Sequence, residues 1–142
     1  MQQAIEEARL APSHADVPVG AIAVADCRIV ARAHNEREKR ADATAHAEVL
    51  ALRAASELLG TWRLDGLTMV VTIEPCVMCA GALLNARVER VVFGAFDPKA
   101  GALGSLYNVG VDPRLNHELE VLGGVMADES GQLLSQFFAD RR

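Results

Sequence analysis

Two short segments constrain this chain more than anything else in it: His46-Ala47-Glu48 and Pro75-Cys76-Val77-Met78-Cys79. To act together, their side chains must meet at one point. Cys76 and Cys79, spaced i, i+3, project from one face of a helical turn, and Pro75 stands where a helix over residues 76–85 opens. His46 falls in the first turn of a second helix, predicted over residues 45–59 with Thr44 as its N-cap. The fold must therefore bring two helix N-termini together, where free N–H groups and the helix dipole favour thiolates. Two thiolates and one neutral imidazole suit a single Zn²⁺ and leave a fourth position open, the pattern of a catalytic site. Glu48 lies about 200° from His46 on an ideal helix. It is read as the proton-moving group, reaching the cavity because the metal sits across the helix end.

The remaining elements follow from periodicity and turn chemistry. Residues 4–10 read as a short amphipathic helix ended by Pro12, and residues 19–24 as a buried strand. Asp26 and Cys27 mark a tight turn, and residues 28–33 form the hairpin partner. A polar loop is predicted from 35 to 42. Residues 68–73 and 90–95 are strand-like, 96–110 irregular, and 119–122 a short last strand before Gly123-Gly124. Met126, Leu133, Leu134, Phe137 and Phe138 recur at helical spacing in a final helix. Strands alternating with helices indicate one α/β domain over residues 1–142, a three-layer α/β/α sandwich on a five-stranded sheet.

Composition narrows the function classes. The chain has 142 residues, 51% of them hydrophobic, enough for one packed core. No apolar run is long enough to span a bilayer, and the N-terminal residues lack the basic and apolar regions of a signal peptide. Three cysteines, two of them in a C-x-x-C, argue against a disulfide framework and for a reducing cytoplasm. The net charge of −5 argues against broad, non-specific nucleic-acid binding but allows a local basic patch. Aromatics at 4% are too sparse for an open base-stacking platform. Arg37, Lys39, Arg40, Lys99, Arg141 and Arg142 are the candidate phosphate contacts, and Phe138 could border a groove. Cys27 reads as a plain surface or half-buried thiol, His14 and His117 as surface residues, and His34 as the end of a strand. None of these has a partner at metal spacing. No P-loop or G-x-G-x-x-G is present, which argues against a nucleotide cofactor.

The order H-x-E then P-C-x-x-C is the signature of zinc nucleobase deaminases. Other segments narrow the resemblance: Asp16-Val17-Pro18-Val19-Gly20-Ala21, Glu74 through Ala82, Val91 through Ala95, Gly101 through Leu106, and Asn116-His117 followed by Val121. Together with the zinc motif they resemble the bacterial tRNA-specific adenosine deaminases over nearly the whole chain. That resemblance implies a cytidine-deaminase-like fold with a central mixed sheet, a homodimer, and hydrolysis of adenosine to inosine at the wobble position of a tRNA anticodon stem-loop. It implies one zinc per subunit on His46, Cys76 and Cys79, with Glu48 as proton shuttle. It also implies Asn35 as the residue bonding the target base, Val19 packing on that base, and Ala47 offering a backbone donor. The chain departs from better-known members in the segment Glu36-Arg37-Glu38-Lys39-Arg40, which lacks a proline, in Phe96, and in ending at Arg142 without a longer basic tail. The competing readings are a guanine or cytosine deaminase acting on free bases, and a zinc-stabilised RNA-binding module without activity. Activity on free bases marks the first, and a closed four-ligand shell the second.

Overall fold

A computed structural model describes residues 1–141. Five strands form one mixed sheet: β1 (Gly20–Ala25), β2 (Arg28–His34), β3 (Thr68–Ile73), β4 (Arg90–Ala95) and β5 (Glu120–Leu122), in the order β2-β1-β3-β4-β5. β1 runs antiparallel to both β2 and β3, while β3, β4 and β5 are mutually parallel. The β1–β2 hairpin closes at Asp26 and Cys27, both with positive φ, as a two-residue turn matched to the strand twist requires. The first four residues of β1 are all buried, which explains the unbroken apolar run of a strand covered on both faces.

The described residues form five helices: α1 (Gln2–Ala8), α2 (Arg37–Arg40), α3 (Ala47–Leu59), α4 (Val77–Asn85) and α5 (Ala127–Ala139). α3 packs on β1 and β2 and touches α4, α1 packs on β1, and α5 packs on β4 and β3. The core between the layers centres on Phe93, Met69, Val71, Leu64, Leu67 and Leu83. This is the three-layer α/β/α sandwich expected from the sequence.

Three local expectations are corrected. The segment 35–42 is not all loop: residues 37–40 make one helical turn, because the buried Asp16 carboxylate accepts the N–H groups of Glu38 and Lys39 at its start. Thr44 is not the cap of α3. Its N–H and hydroxyl both donate to Asp42 Oδ1, which holds the chain in a turn, and the helix begins two residues later with His46 at the N-cap. The first helix ends at Ala8, and Pro12 sits inside a separate 3₁₀ turn over Ala11–His14.

Glu74 fixes the longest irregular connection. It is 1% exposed, and its carboxylate accepts the N–H groups of Asp97, Leu103 and Ser105 and the Ser105 hydroxyl. A Cβ on Gly101 would collide with that carboxylate, so glycine there lets the loop close over it. Burial pushes the Glu74 pKa up, but the donated hydrogen bonds outweigh it and leave the value below the ordinary glutamate range. The stability contributed is thus complete above the unfolded-state value and lost as pH falls through the lower folded value. Glu74→Gln should destabilise the chain by about 1–3 kcal/mol at neutral pH, since a buried acceptor array is broken. Chemical denaturation should also show a smaller loss of stability than the parent's as pH drops below about 4.

Candidate metal centre and its pocket

The sheet topology decides where chemistry can happen. Because β1 is antiparallel to β3, its beginning lies at the edge where β3 and β4 end, and the end of β2 lies there too. Val19, Asn35, Glu74 to Cys76, and Ala95 to Phe96 therefore share one edge, the edge at which open α/β sheets bind ligands. A cavity of about 610 Å³ opens there, within the size range of small-molecule sites. His46, Glu48, Cys76, Asn35 and Val19 line it, and Leu134 and Phe138 of α5 form one wall.

His46 and Cys76 occupy equivalent places in the chain. Each is the N-cap of its helix with extended backbone, φ −76° and ψ 150° for His46 and φ −72° and ψ 173° for Cys76. Each carbonyl accepts the first helical hydrogen bond, from Leu50 and Ala80 respectively. Both side chains consequently leave their helices at the N-terminal end instead of lying along the flank. His46 Nδ1 is 3.8 Å from Cys76 Sγ and 3.5 Å from Cys79 Sγ. The donor atoms of the three residues lie within 4.8 Å of one another. Two sulphurs and one imidazole nitrogen suit Zn²⁺, and no fourth residue joins this group among the described residues.

Glu48 is 3% exposed and lines the same cavity. The angular offset inferred for an ideal helix does not apply, because His46 is not helical. Burial is the main influence on the Glu48 carboxyl and raises its pKa, only partly opposed by its own backbone N–H and by His46. His46 is raised too, chiefly by its hydrogen bond with Cys76. The two sulphurs are shifted in opposite directions. Cys76 is lowered to about 3, first by hydrogen bonding from Cys79 and, against burial, by His46. Cys79 is pushed up by the same hydrogen bond and by burial.

The other predicted site residues fall into three groups. Asn35 is buried in the cavity wall, and its Oδ1 accepts the Ala47 N–H at 2.9 Å. The Ala47 N–H, expected as a donor in the pocket, is here paired with Asn35, which lines the same cavity. Arg37 and Lys99 are exposed at the cavity mouth. Lys39 and Arg40 instead pair with Glu36, and Arg141 lies 4.0 Å over the Phe137 ring and donates to the Ala15 carbonyl. Arg142 lies outside the described residues. Phe96 packs edge-on to Phe93 at the rim. His14 and His117 are half-buried, not surface residues: His14 bonds Asp16, and the His117 ring sits 2.6 Å from the Val88 carbonyl. Cys27 is exposed. Sequence reasoning missed Asp16 and Glu74 as supports of the pocket. A lone acid closing an apolar strand, as Glu74 does, was the available signal.

The chain matches the MafB19-like deaminase family over residues 1–142. The tRNA-specific adenosine deaminase of Bacillus subtilis strain 168 is 51% identical over 142 residues, spanning all of this chain and 88% of that protein. Its namesake from Haemophilus influenzae is 46% identical, spanning all of this chain and 83% of that protein. A structure from a study of A-to-I editing by tRNA:A34 deaminases at the wobble position of transfer RNA superposes with TM-score 0.91. It is 42% identical and is matched over 94% of this chain and 97% of that one. A guanine deaminase from Nitrosomonas europaea has TM-score 0.80 at 25% identity, over 97% and 82% of the two chains.

The unequal sulphurs give a direct check. In chelator-treated protein at neutral pH, iodoacetamide should label exposed Cys27 and the Cys76 thiolate well before buried, protonated Cys79. Peptide mass mapping reads the order, and equal labelling of Cys76 and Cys79 would contradict it.

Proposed function

The chain belongs to the MafB19-like deaminase family, among its tRNA-specific adenosine deaminases, and on that premise we propose that it converts adenosine to inosine at the wobble position, A34, of a tRNA anticodon. The observation that carries the reading is the meeting of His46, Cys76 and Cys79 beside buried Glu48 and Asn35 in one cavity. His46, Cys76 and Cys79 would hold one Zn²⁺ per subunit, which when bound makes water a nucleophile near neutral pH.

The chain's own groups do the rest. Glu48, whose burial keeps its pKa raised, is suited both to accept and to return a proton near neutral pH. It takes a proton from the attacking water and delivers it to adenine N1 as the C6–O bond forms. It then takes the proton of the new C6 hydroxyl and passes it to the amino group, which leaves as ammonia as the C6–N bond breaks and the C6 carbonyl forms. Asn35, oriented by the Ala47 N–H, offers its amide group to the base. Val19 and Phe138 supply apolar surface against it. Placing an adenosine in this cavity requires splaying it out of its stack, which a single-stranded loop allows more cheaply than a duplex.

Phosphate binding rests on Arg37 and Lys99, which stand at the mouth, more than on Lys39 and Arg40, which both pair with Glu36. The exposed apolar side chains of Val77, Leu106 and Tyr107 offer surface that a homodimer would bury. A thiol-based centre supports a reducing cytoplasm, and no helix among the described residues is long and apolar enough to cross a membrane.

The discriminating assay measures ammonia release from an anticodon stem-loop bearing adenosine at the wobble position, against free adenosine and guanine. Turnover should be confined to the stem-loop, and comparable turnover of free guanine would move the assignment to a base deaminase. Glu48→Gln should keep its zinc yet lose about 10²–10⁴-fold or more in kcat. Loss of zinc from that variant would make Glu48 a ligand instead. Arg37→Ala should raise KM several-fold with kcat nearly unchanged and flatten the salt dependence of binding, whereas Lys39→Ala should do little. Equal effects of the two would contradict the ion-pair argument.

A further inference from the structure

On the far side of Asn35 the chain gathers a second set of metal-ligating side chains. His14 ends the 3₁₀ turn before β1, His34 ends β2, and Glu36 follows Asn35. One donor atom from each lies within 4.8 Å of the others. The two imidazoles stack with centroids 5.3 Å apart and planes inclined at 28°. Each has its Nδ1 against a carboxylate, His14 at 2.8 Å from Asp16 and His34 at 3.0 Å from Glu7. With Nδ1–H donating to a carboxylate, the lone pair of each ring is left on Nε2. This is how an outer carboxylate orients a metal-binding histidine. His14 Nε2 is buried and has no hydrogen-bond partner among the described residues, and His34 Nε2 is 3.8 Å from Glu36 Oε1.

We propose that His14, His34 and Glu36 form a second site for a divalent transition-metal ion, distinct from the cysteine site. Two imidazoles and one carboxylate suit Zn²⁺, Ni²⁺, Co²⁺ or Cu²⁺ better than Mg²⁺ or Ca²⁺, which take oxygen ligands. Glu36 also accepts Lys39 and Arg40, but a carboxylate oxygen has a second lone pair to give. Those cations make the site weaker than the thiolate one. A cavity of about 470 Å³ bordered by His34 and Glu36 gives the ion a path from solvent, and its Arg32, Arg40 and Arg53 are balanced by Glu7, Glu36 and Glu57. A bound ion would tie the 3₁₀ turn to both neighbours of Asn35 and so stiffen the segment that carries Asn35 and Arg37.

The test titrates zinc-loaded protein with Co²⁺. One further ion per chain should bind, with the visible ligand-field absorption of a nitrogen–oxygen site and no near-ultraviolet sulphur-to-cobalt charge transfer. Nuclear magnetic resonance of the unaltered protein should show paramagnetic shifts at the His14 and His34 rings but not at His117. His14→Gln should weaken the extra site at least tenfold while zinc content stays unchanged. No additional ion, absorption arising only from exchange at the cysteines, unshifted His14 and His34 signals, or undiminished binding by His14→Gln would each overturn the proposal.

Discussion

The geometry of two helix N-caps underlies everything else in this protein. Had His46 and Cys76 lain inside the first turns of their helices, as the sequence suggested, their side chains would lie along the helix flanks. As N-caps with extended backbone they point past the helix ends, and two helices can then aim at one point. The mixed sheet makes the meeting possible. The antiparallel β1 between β2 and β3 returns the chain so that Val19, Asn35 and Cys76 share an edge. Free N–H groups at both helix starts favour the anionic sulphur that a metal requires.

Around that point, buried carboxylates do three different jobs set by their surroundings. Glu74 is surrounded by donors and stays ionised, fixing the loop from Asp97 to Ser105. Asp16 accepts the N–H groups of Glu38 and Lys39 and bonds His14, holding the turn that carries Arg37. Glu48 has few donors, so burial dominates and its carboxyl is pushed up. A carboxylate kept ionised and a carboxyl whose pKa is raised differ here chiefly in how many hydrogen bonds they accept.

The clustering of His46, Cys76 and Cys79, the strands and the layered architecture were legible in the sequence because spacing and periodicity act locally. What was not legible depends on contacts between distant segments. The turn at residues 37–40 exists because Asp16 caps it from another part of the chain, and no local signal in Arg37-Glu38-Lys39-Arg40 announces that. Thr44 looked like a cap because nothing local revealed that Asp42 would take both its donors. Ala47 looked like a free donor because Asn35 is brought to it only by the fold. The pairing of His14 with His34 was invisible for the same reason: one ends a 3₁₀ turn, the other a strand. The α5 wall was half-legible. Its apolar period gave the helix, with Phe138 as a candidate groove residue, but not the fact that Leu134 lines the pocket beside it.

The central claim is that three side chains from two helix starts hold a metal and leave one position free. Zinc K-edge X-ray absorption on the purified protein tests it most directly. The account predicts two sulphur scatterers near about 2.3 Å, one imidazole nitrogen near about 2.0–2.1 Å, and one further light scatterer from solvent. A shell closed by four protein ligands, with a second imidazole or further sulphurs, would contradict it and make the metal a structural one.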